Sequence, residues 1–374
     1  MSTNAALEER VFTEVKRLCY ANLDTQTLHR RALAYIGRVV PFDGFCAHDA
    51  DPASGLGMRM YQDPPHEENL RFFLEHVCFE DDVNDFNWMI RVRRSVVLLS
   101  ETTGGRLEHS LRYRASLAPR GFHFDLRAVF ASGQEHWGGV SIFRERGRHD
   151  FAERDIALVG RLAPHLAAGL KAAALRAQVP LAPRCDGPGV LILDERGHVC
   201  QFTASAERWL RELGDLGPGW REGRGLPSAV WLAVGALRHA LNPATERDSA
   251  SVPRITTRTS GGRWLNLQAS LAESRDGDIA TTVIVIEPAG PHELTWMRTA
   301  AYGLSARERE VVDLAVRGAS TKHIAATLHI AEYTVQDHLS HIFDKVGVRG
   351  RRALVKRLYL DSLYPSLSVA SGDS

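Results

Sequence analysis

Leu304-Ser305-Ala306-Arg307-Glu308 opens a stretch, residues 304–363, that predicts four short helices and decides the fold of this part of the chain. Ser305 followed three residues later by Glu308 is typical of a capping box, in which each side chain bonds the other residue's backbone N–H. Gly318 is placed to end the first helix in a left-handed turn. Ser320 can cap a second helix, and residues 329–331 read as a tight turn.

The third helix of this stretch is predicted from an apolar stripe at helical spacing. The stripe consists of Val335, Leu339, Ile342, Phe343 and Val346. Gly347 is expected to end this helix, and a fourth is expected from residue 351 to about 363. Such a stripe predicts that one face of the third helix is buried in a small helical core.

The opposite face of the third helix is polar, as expected of a helix that reads base edges in a major groove. The residues expected to contact bases are Thr334, Gln336, Asp337, His338 and Ser340. The residues expected to meet phosphates are Lys322, Lys345, Arg349, Arg351, Arg352 and Arg357. A solvated face of an ordinary helical bundle has the same pattern, but four capped helices with a short turn before the third favour DNA.

These residues resemble the LuxR/NarL-type helix-turn-helix domain over residues 298–363. The family pattern appears as Leu304-Ser305-Ala306-Arg307-Glu308, Gly318, Ile324-Ala325, Thr334-Val335-Gln336-Asp337-His338 and Lys345-Val346-Gly347-Val348. The resemblance implies that the third helix is the recognition helix and that the fourth helps to pair two copies of the chain.

The chain departs from this family pattern at two places in the third helix. Ala331 stands where the capping residue is usually Ser, and a lost cap costs about 1 kcal/mol. Glu332 at the positive end of the helix would offset part of that cost. Gln336 stands where Lys is common, and acidic Asp337 follows it. We therefore expect weaker attraction to phosphates from this helix and more reliance on base edges.

The charge of the chain is unevenly distributed. The whole chain of 374 residues has 46 basic and 45 acidic residues, or +1, at ordinary globular composition. Residues 303–360 alone hold 10 basic and 6 acidic residues, or +4, which leaves −3 on the remainder. A basic end on a mildly acidic body suits DNA binding by that end only.

The cysteines and the N-terminal residues predict a cytoplasmic protein. Five scattered cysteines without a Cys-x-x-Cys spacing disfavour a disulfide framework and favour a reducing compartment. The first ten residues are polar and acidic, unlike a signal peptide. No apolar run approaches the roughly 18 to 20 residues of a membrane span, so we expect no membrane partner.

Residues 1–178 predict an α+β domain with helices at both ends of a small antiparallel sheet. Two opening helices are followed by strands near 44–48, 57–61, 95–99, 124–131 and 136–144. Helices are predicted at 67–79, 84–94, 107–117 and 151–178. The order resembles a GAF-type sensor domain, as do Trp137-Gly138-Gly139 and the helix start at Asp150-Phe151.

Residues 190–288 predict a second α+β domain of two strands, helices near 204–213 and 227–241, and three further strands. This order resembles a PAS-like domain. Residues 179–189 and 289–297 are predicted linkers, because proline, glycine and small residues dominate them. Residues 364–374 are predicted to be a disordered tail. The fold class is thus multidomain, with two α+β sensor domains before an all-α four-helix domain.

The sequence offers little catalytic chemistry, so we expect no enzyme activity, no cofactor and no metal. The phosphate-loop, Gly-x-Ser-x-Gly and His-Glu-x-x-His motifs are absent from the sequence. Cys46-Ala47-His48 and His198-Val199-Cys200 could each supply two metal ligands on a strand face, although ordinary packing accounts for them. A redox-sensing thiol is a further alternative. Tryptophans 88, 137, 209, 231 and 264 could line a ligand cavity or fill cores.

The prediction is a sequence-specific transcriptional regulator of LuxR type that binds double-stranded DNA as a homodimer. Its N-terminal domains are expected to sense a small-molecule ligand or a partner protein, by analogy of fold alone. The alternative is an anti-activator whose C-terminal helices bind a protein, because such a surface tolerates Gln336 and Asp337. A ligand-modulated enzyme is a third interpretation, which the missing motifs disfavour.

Overall fold

The computed structural model describes residues 3–51, 57–80, 82–176, 187–242, 254–272, 281–289, 302–355 and 357–358. The described residues up to Pro288 form one compact unit, and those from Ala289 form a second. Two predicted linkers fall largely outside the described residues, and the predicted tail does so entirely. Within the described residues, no helix is both long and apolar enough to cross a membrane.

The first part of the N-terminal unit is a five-stranded antiparallel sheet with helices on both faces. Its strands are β1 (Gly44–Ala50), β2 (Gly57–Asp63), β3 (Val96–Leu98), β4 (Phe122–Ser132) and β5 (Glu135–Glu145). Its α-helices are α1 (Thr3–Cys19), α2 (Thr25–Ile36), α3 (Glu67–Phe72), α4 (Phe86–Arg91), α5 (Leu99–Thr102) and α6 (Glu153–Arg176). The strand order is β2-β1-β5-β4-β3.

Helix α6 covers one face of this sheet. Leu158, Leu162, Leu166 and Leu170 recur every four residues and are all buried, so they form one apolar stripe against the sheet. Strands β4 and β5 meet at Gly133, whose φ of +64° is a conformation that glycine adopts without steric cost. The other face of the sheet carries α4 and two π-helical turns, and it is there that a cavity lies.

Two helices predicted in this region take a different form. The predicted helix at 107–117 is a short 3-10 turn, Leu107–His109, followed by a π-helical turn, Tyr113–Leu117. Ser110 separates them because its hydroxyl donates to Asp82 (2.8 Å) and accepts from the Tyr113 N–H, bonds that end the first turn. The predicted helix at 67–79 is α3 continued by a π-helical turn, Phe73–Val77.

The second part of the N-terminal unit repeats the same strand order in a second sheet, β7-β6-β10-β9-β8. Its elements are β6 (Gly189–Leu193), β7 (Val199–Phe202), α7 (Ala204–Leu213), α8 (Ser228–Leu241), β8 (Arg254–Arg258), β9 (Trp264–Ala272) and β10 (Thr281–Pro288). The two α+β sheets of the predicted fold class are therefore present. Whether each is a separate domain with the predicted boundaries stays a prediction.

The two sheets of this unit are joined by direct contacts. Leu74 of the first π-helical turn belongs to the core of the second sheet. On the partner helix α8, Gly235 faces this turn so closely that an added Cβ would overlap the Leu74 carbonyl oxygen. Arg238 of α8 forms an ion pair with Glu75 at 2.9 Å. The turn and the helix therefore interlock through backbone, charge and apolar contacts.

The tryptophans are largely buried, whereas the cysteines differ in exposure, from buried Cys19 to exposed Cys200. Trp137, Trp209, Trp231 and Trp264 are buried in cores. The four cysteines in the described part of the chain are free thiols. Burial raises the pKa of both Cys19 and Cys78 to about 12, which disfavours the reactive thiolate. Among the described residues, no three His, Cys, Asp or Glu side chains group as metal ligands do.

The C-terminal unit is a small all-helical domain. It contains α9 (Ala306–Val316), α10 (Thr321–Leu328), α11 (Glu332–Val346) and α12 (Arg351–Val355). Its core includes Val311 and Val312 of α9, Ile324 of α10, Ile342 of α11 and Leu354 of α12. The four predicted helices are thus confirmed, apart from the predicted end of the fourth, which lies beyond the described residues.

Candidate nucleic-acid interface

The helix starts follow the local chemistry of the sequence. Both bonds of the Ser305–Glu308 capping box are present, and the Ser320 hydroxyl accepts from the His323 N–H at 3.2 Å. Ala331 begins α11 without any side-chain cap. His329 ends α10 in a left-handed conformation with φ of +52°, which fixes the tight turn before α11.

Helix α11 divides into a buried and an exposed face. Val335, Leu339, Ile342 and Val346 are buried in the domain core, and Phe343 is half-buried. Because these apolar residues hold one side of the helix against α9 and α10, the side with Gln336 and Ser340 faces solvent. The turn, the buried stripe and the exposed polar face form the arrangement expected of a recognition helix.

The residues predicted to contact bases differ in their exposure to solvent. Gln336, Asp337 and Ser340 are exposed, whereas Thr334 and His338 are half-buried at the edges of the face. The Ser340 hydroxyl donates to the Gln336 backbone carbonyl at 3.1 Å. Its proton is therefore engaged, and Ser340 would meet a base mainly as an acceptor.

The residues predicted to meet phosphates separate into two groups. Lys322 and Arg349 are exposed and able to reach a ligand. Arg351 is half-buried, and its Nε and Nη2 atoms are shielded from solvent. Lys345 is already engaged, because its ammonium group lies 2.7 Å from Glu308 Oε2. The structure thus gives Lys345 an ion pair inside the domain that the sequence pattern did not predict.

The Lys345–Glu308 pair ties the end of α11 to the start of α9. The Glu308 side chain is only 6% exposed, while that of Lys345 is 40% exposed. Burial alone would raise the pKa of Glu308, but hydrogen bonds from Lys345 and Ser305 outweigh it and hold that pKa below its usual value. One carboxylate therefore serves both as a helix cap and as the partner of a distant lysine.

Replacing Lys345 with Met is expected to destabilise the C-terminal domain by roughly 1–3 kcal/mol, since the buried Glu308 loses a charged hydrogen-bond partner. A carboxylate with a lowered pKa contributes stability above its unfolded pKa and loses it as the pH falls through the folded one. The wild-type domain should therefore weaken below about pH 4.5, the ordinary pKa of Glu. Urea denaturation of the full chain at several pH values measures both effects.

The matched control is Lys322→Met, which removes an exposed lysine of α10 and should change stability little. A Glu308→Gln variant should lack the acid-dependent loss that Glu308 causes. If Lys345→Met kept full stability and reduced only the salt dependence of DNA binding, Lys345 would be a phosphate contact, as the sequence predicted.

Tyr333 is a surface residue of α11 that the sequence reasoning missed. Its side chain is 71% exposed in the first turn of the helix, beside Thr334. The signal was present, because an aromatic residue outside the apolar stripe of an amphipathic helix has no core to fill. Tyr333 therefore lies with Gln336 and Ser340 on the exposed surface of α11.

Comparison with known proteins places this domain in a family. The family described as "Bacterial regulatory proteins, luxR family" matches residues 302–358. The spore germination protein GerE of Bacillus subtilis is 46% identical over 61 residues, which are 16% of this chain and 82% of GerE. The probable transcriptional regulatory protein NarL of Mycobacterium tuberculosis is 46% identical over 52 residues, 14% of this chain and 24% of that protein.

The similarity to solved structures is weaker. The match to a crystal structure of SdiA from Escherichia coli covers 92% of this chain and 96% of the SdiA chain, with 11% identity and a TM-score of 0.33. The assignment therefore rests on the C-terminal helices: through this helix-turn-helix domain, the chain belongs to the luxR family of bacterial regulatory proteins.

Proposed function

We propose that this chain is a transcriptional regulator that binds specific double-stranded DNA sequences through α11. The observation that supports it most is the division of α11, whose apolar stripe is buried while Gln336, Asp337 and Ser340 face solvent. Gln bonds an adenine edge in bidentate fashion, Asp accepts from cytosine, and Ser bonds either kind of base. Lys322 and Arg349 supply sequence-independent attraction to phosphates.

The proposed active form is a homodimer controlled by the N-terminal unit. Two recognition helices, one from each copy, would enter successive major grooves about 34–36 Å apart. The fourth helix of each copy would contribute to the pairing, as in the LuxR-type resemblance. A ligand or partner protein that binds the N-terminal unit would shift the dimer or its orientation and so change the apparent DNA affinity.

Gln336→Ala and Arg349→Ala are expected to affect DNA binding in different ways. Removing Gln336 should relax the choice at one base pair by about 1–3 kcal/mol, because its bidentate bonds are lost. Removing Arg349 should weaken binding to all sequences and reduce the slope of log affinity against log salt by about 1. Selection of bound sequences from a random pool, followed by titrations at two salt concentrations, measures both.

Gln201→Ala, which removes an exposed amide from β7 of the N-terminal unit, serves as the control and should leave binding unchanged. An unaltered base preference in Gln336→Ala would contradict the placement of α11 in the groove. Failure of the wild-type chain to bind any DNA at low salt would favour a C-terminal domain that binds a protein.

A further inference from the structure

The first sheet presents a row of polar side chains on the face away from α6. Cys46 is in register with Ser141, and Ser141 is in register with Arg127 on the next strand. Residues in register on neighbouring strands point to the same side of a sheet, and His48 follows Cys46 on that side. This row forms the floor of two adjoining pockets of about 100 and 30 Å³.

The walls of these pockets are mainly apolar. Both pockets are bordered by Met60 of β2, Phe73 of the π-helical turn and Phe86 of α4. Leu232, which belongs to α8 beside the second sheet, borders the larger pocket. We call the two pockets together the sheet cavity. Its shape and walls suit a small molecule with a compact apolar body.

Arg127 brings a buried positive charge without a direct ion-pair partner to the floor of the sheet cavity. It is 8% exposed, and its guanidinium lies 4.2 Å above the centre of the Phe86 ring. Its Nε donates to the Ser141 hydroxyl at 3.1 Å and its Nη1 to the Asn84 backbone carbonyl at 2.8 Å. Both acceptors are neutral, and no carboxylate of the described residues lies within ion-pair distance of Arg127.

The other buried arginines of this sheet show what Arg127 lacks. Arg144 is also 8% exposed and also stacks on a ring, that of Phe151, yet it pairs with Asp155 at 3.1 Å. Arg112 is 4% exposed and pairs with Asp125 at 2.7 Å. Burial, followed by the charge of Arg112, lowers the pKa of Arg127 to about 10, although Asp125, Asp82 and Asp85 nearby act in the opposite direction. A buried charge that forms no ion pair is costly, so its position beside a cavity indicates a use.

The acidic residues that border the sheet cavity either accept hydrogen bonds from other groups or are exposed to solvent. Asp82 accepts from the Arg112 side chain and from the Ser110 hydroxyl. Asp85 caps α4 by accepting from the Trp88 N–H, and Glu80 is exposed to solvent. None of these carboxylates forms an ion pair with Arg127, so its guanidinium can pair with a negative group of a ligand.

The two histidines of the cavity add polarity without adding charge. His48 Nε2 and His136 Nε2 lie 3.3 Å apart, so one ring donates and the other accepts. Burial and the neighbouring His136 and Arg127 hold the pKa of His48 well below its usual value. The Nε atom of Arg112 is buried without a hydrogen-bond acceptor, as is the Oε1 atom of Gln62 without a donor. These groups would accommodate a polar substituent of the ligand.

We propose that the sheet cavity binds a small carboxylate with a compact apolar or aromatic body, whose carboxylate pairs with Arg127. Such a ligand supplies the missing counter-charge, while Phe73, Phe86 and Met60 enclose its body. The bound ligand would also contact Leu232, so its binding beside the first sheet would affect α8 of the second sheet. Only this regulatory consequence rests on the proposed function, since the binding itself does not depend on DNA.

The test is calorimetric titration of the full chain with matched pairs of acids and amides. Benzoate, phenylacetate, 4-hydroxybenzoate and butyrate are each compared with their own primary amide. At least one acid should bind about tenfold or more tightly than its amide, because the amide lacks the charged hydrogen bond. Arg127→Met should remove this preference. Without ligand, the Arg127→Met variant should show no decrease in melting temperature, because the substitution removes a buried charge that forms no ion pair.

Arg144→Met is the matched control, since it removes an equally buried, equally stacked arginine outside the cavity. It should lower the melting temperature, because Asp155 loses its partner, and it should keep the acid preference. If Arg127→Met does not fold, Arg127→Lys tests the same point, with a reduced but retained preference. Equal affinity for acids and amides, or an acid preference that survives in Arg127→Met, would overturn the proposal.

DNA titrations of the same samples separate this proposal from the proposed function. If the chain binds the acid but no DNA, the carboxylate site is supported and the proposed function as a transcriptional regulator is contradicted. If the chain binds DNA but none of the acids, the proposed function is supported and the carboxylate site is contradicted. Acid binding that leaves DNA affinity unchanged would remove only the regulatory consequence.

Discussion

Gly235→Ala is expected to destabilise the N-terminal unit, although alanine is normally the better helix residue. In an exposed helix this change would stabilise by up to about 1 kcal/mol. Here the added methyl group would overlap the Leu74 carbonyl oxygen and lie 2.8 Å from Cε2 of Phe79. Because the contact is with backbone, α8 must move away from the π-helical turn Phe73–Val77. Overpacking of this kind costs roughly 1–3 kcal/mol or more.

Urea denaturation of the full chain, followed by tryptophan fluorescence, measures this loss. Gly147→Ala is the matched control, since Gly147 is exposed and an added Cβ there would meet nothing within 4 Å. A more stable Gly235→Ala variant would mean that the turn and α8 do not interlock as described. Any ligand response that passes from the first sheet to the second should also be weakened in this variant.

Ile342→Ala is expected to abolish DNA binding by unfolding the C-terminal domain rather than by altering its surface. Ile342 is fully buried at the centre of the apolar stripe of α11. Truncation of a buried Ile to Ala costs about 2–5 kcal/mol, whereas a domain of fewer than about 70–80 residues rarely has more than 3–5 kcal/mol of stability. Most molecules of the variant should therefore have this domain unfolded.

Hydrogen exchange of the α11 amides in the full chain reports this unfolding directly. His341→Ala, the neighbouring substitution on the exposed side, should leave the exchange rates of the core amides unchanged. Preserved protection in Ile342→Ala would contradict the assignment of the stripe to the core. Lost protection with retained DNA affinity would contradict the role of α11.

The features that the sequence predicted well are those whose chemistry is local. Ser305 and Glu308 stand three residues apart, so their reciprocal bonds could be inferred from spacing alone. The stripe of α11 and the paired strands β4 and β5 were predicted for the same reason, because periodicity is a property of neighbouring residues. The C-terminal helices and both sheets follow from such patterns.

The features that escaped prediction depend on residues distant in sequence. Lys345 was assigned to phosphate because nothing near it in sequence indicates Glu308, 37 positions away. The predicted helix at 107–117 was interrupted because Ser110 bonds Asp82, which lies 28 positions earlier. The sheet cavity required the register of three strands, since only register brings Cys46, Ser141 and Arg127 into one row.

The joint between the two sheets also bears on the solubility of the chain. β2 and β8 are edge strands of their sheets, and exposed edge strands are templates for pairing with other molecules. The Thr257 hydroxyl of β8 donates to the Met58 carbonyl of β2 at 2.9 Å. Arg59 of β2 donates to the backbone carbonyls of Leu213 and Arg258. Each edge thus covers part of the other, and a chain cut between the sheets would expose both edges to pairing with other molecules.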